Sequence, residues 1–203
     1  KQRFMLHDYF FAKTIDKVRP GGLLVFVTSK GTMDKIDDKA RQYLAARADL
    51  LGAVRLPQTA FQENAGTEVV TDVLFLRKRE PKQTQAGEEW QGLAEVETPE
   101  GATNVNQYFA SHPEMVLGAH SLTGRMRANE NEYPVFPREG EDIETAFRKA
   151  VERLPENVYS PIRSTPDQSV KTTIERDFNP KLRKEGGLYV ADNGSIIQVE
   201  NGT

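Results

Sequence analysis

The chain has 203 residues, 37% of them hydrophobic and 28% charged, with a formal net charge of −3 and no cysteine. That length supports one large or two small domains with real cores, and no apolar run approaches the roughly 18–20 residues a membrane span needs, so a soluble, cytoplasmic protein is expected. The missing cysteines exclude disulfides, thiolate metal sites and cysteine nucleophiles, and with only His7, His112 and His120 no metal site is expected.

Residues 3–18 place Phe4, Phe11, Ile15 and Val18 at helical spacing, with Lys13, Asp16 and Lys17 facing away, which predicts an amphipathic helix. Arg19-Pro20-Gly21-Gly22 ends it, because proline cannot continue a helix and paired glycines favour a turn. Residues 23–28 are a continuous apolar run of strand length, the pattern of a strand covered on both faces in a parallel sheet. Asp34, Asp37 and Asp38 sit where a helix start favours acids, and Ile36, Ala40, Tyr43 and Leu44 line one face of that helix. Strands follow over residues 50–56 and 69–77, the second with Val73 and Phe75 on one side and Asp72 and Leu74 on the other. Helices alternating with buried strands predict an open α/β sheet. With no strand upstream of Phe4, so few strands bury little surface, and the expectation is the later part of a larger sheet.

Beyond residue 80 the character changes. The first eighty residues hold 14 Lys/Arg against 10 Asp/Glu, and the remainder 13 against 20, so a polyanion would meet the first part more readily. Residues 81–103, with Pro81, Gly87, Pro99 and Gly101, read as a linker or long loop that Trp90 anchors by packing. Residues 104–163 read as a small acidic helical region: a short helix near Asn106–Phe109, a short edge strand near Tyr133–Phe136, and a clearer helix whose face is Ile143, Ala146, Phe147, Ala150, Val151 and Leu154. Residues 164–203 read as a polar linker and a β-hairpin, with Asn193-Gly194 as the turn between β-rich runs. His7-Asp8 looks like half of a triad, but it rides on a helix start with no serine elbow, so surface or capping roles are expected. His112-Pro113 reads as a loop and His120 as exposed.

Leu6-His7-Asp8-Tyr9-Phe10, Arg19-Pro20-Gly21-Gly22-Leu23, Thr28-Ser29-Lys30-Gly31 and Leu56-Pro57-Gln58-Thr59-Ala60-Phe61 form a recognisable set together with residues 66–76, Gly66-Thr67-Glu68 through Leu76. Over residues 1–80 the set resembles the C-terminal half of the N6-adenine DNA methyltransferase catalytic domain, in particular the methylase portion of large methylase–helicase proteins of mobile elements and phages. A looser likeness extends over residues 104–118 and 131–159. The resemblance implies a partial Rossmann-like methyltransferase sheet, later strands only, followed by a smaller α+β region and the hairpin. It also implies S-adenosylmethionine as cofactor, with DNA and the N-terminal half of the same domain as partners. The glycine-bearing cofactor loop and the Asn/Asp-Pro-Pro-aromatic motif of the family do not occur in this sequence, so no catalytic or cofactor-binding residue is expected here and the chain alone should be inactive.

Transfer to an exocyclic amine needs the base out of the duplex and gripped by aromatic faces. The resemblance makes Phe61 the candidate for one such face; the plain alternative is a phenylalanine plugging the end of the sheet. Gln62, Glu63 and Asn64 would line the pocket or lie in solvent. Ser29 and Lys30 follow a buried strand at its carboxyl end, where open α/β sheets place ligands. Lys30 would touch a phosphate and Ser29 the base pocket, or both belong to an ordinary strand-to-helix turn. The competing function is a non-catalytic docking or DNA-binding module of a larger helicase–methylase protein.

Overall fold

A computed structural model describes residues 6–123, 133–159, 188–190 and 196–198. Two compact units divide the chain, residues 1–161 and 162–203. The first is a mixed α/β body whose sheets are small and antiparallel.

Helix α1 (Leu6–Lys17) buries Phe11, Ala12 and Ile15 and delivers the chain to β1 (Leu23–Ser29). Phe4, assigned to this helix from the sequence, lies outside the described residues. The expected single helix after β1 is two short ones, α2 (Gly31–Asp34) and α3 (Lys39–Ala45), because the chain extends at Lys35 between them. Ile36 is therefore 76% exposed instead of lining a helix face, while Ala40 and Leu44 are buried as expected. Strand β2 (Ala48–Leu56) follows, then a loop with the single-turn helix α4 (Gln62–Ala65), then β3 (Thr71–Lys78).

The strand order is β1-β3-β2, with β3 antiparallel to both neighbours. Thus β1 and β2 run the same way, joined across α2 and α3, while β3 returns between them. The all-parallel sheet expected from the apolar runs is corrected here. A parallel strand needs a crossover of a dozen or more residues, usually a helix, and the segment between Leu56 and Thr71 holds only the single turn of α4.

Pairing sets two faces. One carries Leu24, Phe26, Leu74, Leu76 and Ala53, with Phe11 of α1 packed on Phe26 at 4.5 Å between ring centroids. On the other, Val54 and Val73 are buried, but Leu23, Val25 and Val27 of β1 are 41%, 57% and 60% exposed. The outer edge of β2 is occupied: Leu117 donates its N–H to the Arg55 carbonyl, and Glu88 to that of Leu50. Among the described residues nothing pairs with the outer edge of β1.

Residues 81–103, expected to be a linker or long loop, contain β4 (Leu93–Thr98) and the first half of β5 (Gly101–Asn106), a hairpin paired from Leu93–Asn106 to Thr98–Gly101. From Ala94 on, β4 alternates half-buried with exposed residues, β5 buries Thr103, Val105 and Asn106, and Gly101 supplies the positive φ of +134° at the turn. Asn106 caps α5 (Gln107–Ser111) by accepting from the Tyr108 N–H. A single 3-10 turn at Pro113–Met115 leads to β6 (Ala119–His120), which pairs with β7 (Val135–Phe136). Helix α6 (Ile143–Val151) is capped by Asp142 and buries Ala146 and Ala150, two residues of the expected face. In the second unit, β8 (Leu188–Val190) pairs with β9 (Ile196–Gln198) as the hairpin signal predicts; its Asn193-Gly194 turn lies outside the described residues. Among the described residues no helix is long and apolar enough to cross a membrane.

Trp90 is 1% exposed and its carbonyl accepts from the Asn106 side chain at 2.7 Å, so it pins the hairpin to the body. Trp90→Ala should cost about 3–5 kcal/mol of unfolding free energy, read by circular dichroism in a urea titration. A change below about 1 kcal/mol would mean that the hairpin is attached by other contacts.

Candidate functional site

Two opposite charges interrupt the apolar strands, Arg55 on β2 and Asp72 on β3, and they face each other in register. Both are 0% exposed. The Arg55 guanidinium donates from Nε to Asp72 Oδ1 at 2.7 Å and from Nη2 to Asp72 Oδ2 at 2.8 Å, a two-pronged pairing. Nη2 also donates to Asp34 Oδ1 at 3.0 Å, and Nη1 lies 2.9 Å from Asp34 Oδ2. Nη1 further donates to the Tyr133 hydroxyl, which itself donates to Asp34 Oδ2 at 2.6 Å. The backbone N–H of Asn106 closes the set on Asp34 Oδ1 at 2.9 Å. Above the guanidinium sits the Phe109 ring, 4.2 Å from Cζ to centroid.

Burial works against the charge on Arg55, but Asp34 and Asp72 hold its pKa well above the ordinary arginine value. Burial pushes the Asp72 carboxyl up, against the pull of Arg55. The two donated hydrogen bonds fit the carboxylate form. Tyr133 is raised well above an ordinary phenol by burial and by Asp34, with Arg55 opposing.

The cluster lies at the carboxyl end of β1 and β2. Ser29 and Leu56 both pair with Thr71 of β3, so the segments leaving the two strands emerge at one end of the sheet. Ser29 is exposed there. Lys30 is half-buried, its N–H bonded to the Val70 carbonyl and its ammonium 3.8 Å from the centroid of the Tyr133 ring. Phe61, five residues past Leu56, is half-buried and packs against the core at the start of α4. The structure thus brings all three sequence candidates to one end of the sheet. Gln62, Glu63 and Asn64 are exposed, and Gln62 is held by Glu68 at 2.8 Å.

Other residues stand differently from expectation. Asp8 is 4% exposed and paired with Lys35, so its role is buried, not superficial. His120, expected to be exposed, is half-buried edge-on to Tyr133 at 5.1 Å, because β6 turns it inward onto the cluster. Its Nε2 is buried without a hydrogen bond, and burial together with Arg55 lowers its pKa to about 4. His112 stacks on Tyr108 at 4.5 Å. Among the described residues there is no group of three or more His, Asp or Glu placed to hold a metal ion.

Sequence reasoning missed the Asp34–Arg55–Asp72–Tyr133 cluster. A signal existed for Arg55 and Asp72, since lone opposite charges inside two apolar strands are costly unless they meet. None existed for Tyr133, which lies 61 residues beyond Asp72.

No family model matches the chain, and no solved structure matches it. A stretch of 72 residues is 36% identical to the Defense against restriction protein B of Escherichia phage P1. The match covers 35% of this chain and only 3% of that protein's length.

Removing one partner of a buried ion pair strands the other charge and costs about 3–5 kcal/mol. Arg55→Met should lose that much in urea denaturation, and adding Asp34→Asn and Asp72→Asn should recover a large part. Equal stability of the single and triple variants would mean the carboxylates are not stranded. His120 gives a separate pH signature. Its folded pKa of about 4 lies below the ordinary 6.5, so its neutral form contributes stability that is complete above pH 6.5 and lost as pH falls toward 4. The stability advantage of the native protein over His120→Gln should therefore shrink by roughly 2–3 kcal/mol between pH 7 and pH 4. A pH-independent difference would place His120 in solvent.

Proposed function

We propose that this chain is part of a SAM-dependent DNA adenine-N6 methyltransferase, supplying the later strands of a Rossmann-like sheet and one wall of the pocket for an extruded adenine. The observation that supports this reading is that Ser29, Lys30 and the loop bearing Phe61 all leave the carboxyl end of two co-directional strands, the place where α/β sheets hold ligands. The motifs around those residues are the ones that resemble the methyltransferase family. The phage relative is named for defence against restriction. A methyl group on adenine N6 alters a donor that proteins read in the major groove, so base methylation is one chemical route to such a defence.

In this reading Phe61 stacks on the flipped base, Lys30 meets a DNA phosphate and Ser29 borders the base. The family's cofactor loop and proline-pair motif are not among the residues of this sequence. At the carboxyl end of the sheet the described residues offer no glycine cradle. A Cβ at Gly66 would meet nothing within 4 Å, and one at Gly31 only the Ser29 hydroxyl at 3.7 Å. The residues here do not fit S-adenosylmethionine by themselves, so their share of the chemistry is holding the base and the DNA backbone.

The apolar face of β1 and its edge, which no described residue covers or pairs with, favour a second reading, a non-catalytic module docked onto another domain of a helicase–methylase protein. The first reading puts the N-terminal half of the methyltransferase against that same edge and face.

Phe61→Ala separates them. In the intact polypeptide it should reduce methylation of duplex DNA by roughly 5–150-fold, the equivalent of about 1–3 kcal/mol of stacking, with cofactor affinity unchanged. A parallel loss of cofactor binding, or no loss of methylation, would remove Phe61 from the base pocket and leave the docking reading.

A further inference from the structure

The ammonium of Lys30 does not stand alone at the end of β1. It lies over the face of the Tyr133 ring, 3.8 Å from the centroid, within the range of a cation–π contact. The ring cannot easily turn away. Tyr133 is 2% exposed, its hydroxyl accepts from Arg55 and donates to Asp34 at 2.6 Å, and His120 meets it edge-on at 5.1 Å. The backbone behind it is fixed too, since the Val135 carbonyl accepts from Gln58, in the loop that leads to Phe61.

From this geometry we infer that Tyr133 is a positioning residue for Lys30, holding its ammonium at the carboxyl end of the sheet in register for a DNA phosphate. The inference rests on the DNA-binding reading of Lys30. It makes the β6–β7 segment, remote in sequence and set in the acidic part of the chain, a working part of the site. The segment supplies no ligand contact of its own. It supplies the platform on which the cation sits. A lysine that is free to sample its rotamers loses entropy on meeting a phosphate, and one already lodged on a ring loses less.

The test uses the intact polypeptide and a fluorescent DNA duplex, with affinity followed by anisotropy across a salt series. Lys30→Met should lower the slope of log affinity against log salt by about 0.9, the value for one phosphate contact, and Lys30→Arg should restore it. Tyr133→Phe keeps the ring and loses the hydroxyl, whereas Tyr133→Leu loses the platform. Tyr133→Leu should bind roughly three- to tenfold more weakly than Tyr133→Phe at fixed salt, and should add nothing in a Lys30→Met background. Equal binding by the two Tyr133 variants, or an additive loss with Lys30→Met, overturns the positioning role while leaving DNA binding by Lys30 intact. An unchanged salt slope in Lys30→Met ends the DNA-binding reading of Lys30, and the inference falls with it. If Tyr133→Leu does not fold, NMR of the 13C-dimethylated lysines decides the matter. The Lys30 resonance should be shifted upfield by the ring in the native protein and in Tyr133→Phe, and an unshifted resonance overturns the inference.

Discussion

Taking a guanidinium fully out of water costs several kcal/mol even after the surroundings relax, and Arg55 is 0% exposed. The charge is tolerable only because its N–H groups meet Asp34, Asp72 and Tyr133 at once. Those partners come from α2, β3 and the residues just before β7, and Asn106 joins from the end of β5. Arg55, with Asp34 as the link to Asn106, thus sets the relative positions of four separate stretches of chain. A slip of one residue between β2 and β3 would turn Arg55 or Asp72 to the opposite face and strand both charges. Such a cluster adds little net stability over a well-packed apolar core. Its contribution lies in the penalty it places on every other arrangement.

That constraint explains why the candidate site sits where it does. Thr28 and Thr32 share a hydrogen bond at 2.9 Å beside the cluster, which tightens the turn from β1 into α2 and sets Ser29 and Lys30 at the sheet's end. Asp34, at the end of α2, is pulled inward by Arg55, so the short helix cannot swing outward. The same cluster orients Tyr133, whose ring lies under Lys30. Electrostatics agree with the geometry. Two carboxylates outweigh one guanidinium, and the field of the half-buried Lys30 acts on Asp72 in the opposite sense to burial. The cation at the rim therefore offsets the excess negative charge beneath it.

Local pattern carried the first half of the fold and failed where distance in sequence mattered. The proline and paired glycines after α1, the apolar run of β1 and the alternation in β3 are short-range signals, and the elements follow them. The direction of β3 was not legible from its own residues, because a buried strand has the same composition whichever way it runs; the connection before it holds only the single turn of α4 and no crossover helix. The hairpin β4–β5 was hidden because glycines and prolines near a tight turn look like those of a linker. Ser29 and Lys30 were proposed from local context and Phe61 from the family resemblance, and the sheet brings them to one end. Tyr133 and His120 could not have been, since only the folding of β6–β7 back onto β2 and β3 gives them a place.

Among the described residues the sheet is finished on one side and bare on the other. Residues 116–117 and Glu88 bond along β2, and Leu154 and Tyr108 lie so close to Gly52 that a Cβ there would stand 2.4 and 3.0 Å from them. Beyond β1 the described residues supply neither a pairing strand nor a cover for Val25 and Val27. Edge strands that meet water usually carry charges, proline or a bulge that discourage pairing. Strand β1 carries none of these over Leu23–Ser29, and its composition is that of an interior strand. Val25 and Val27 are 57% and 60% exposed, so covering them would contribute about 1 kcal/mol each, and the strand is built to be covered. Ser29 lies on this same uncovered face. Under the methyltransferase reading, a base held at the carboxyl end of the sheet therefore rests against Ser29, Lys30 and Phe61 on one side.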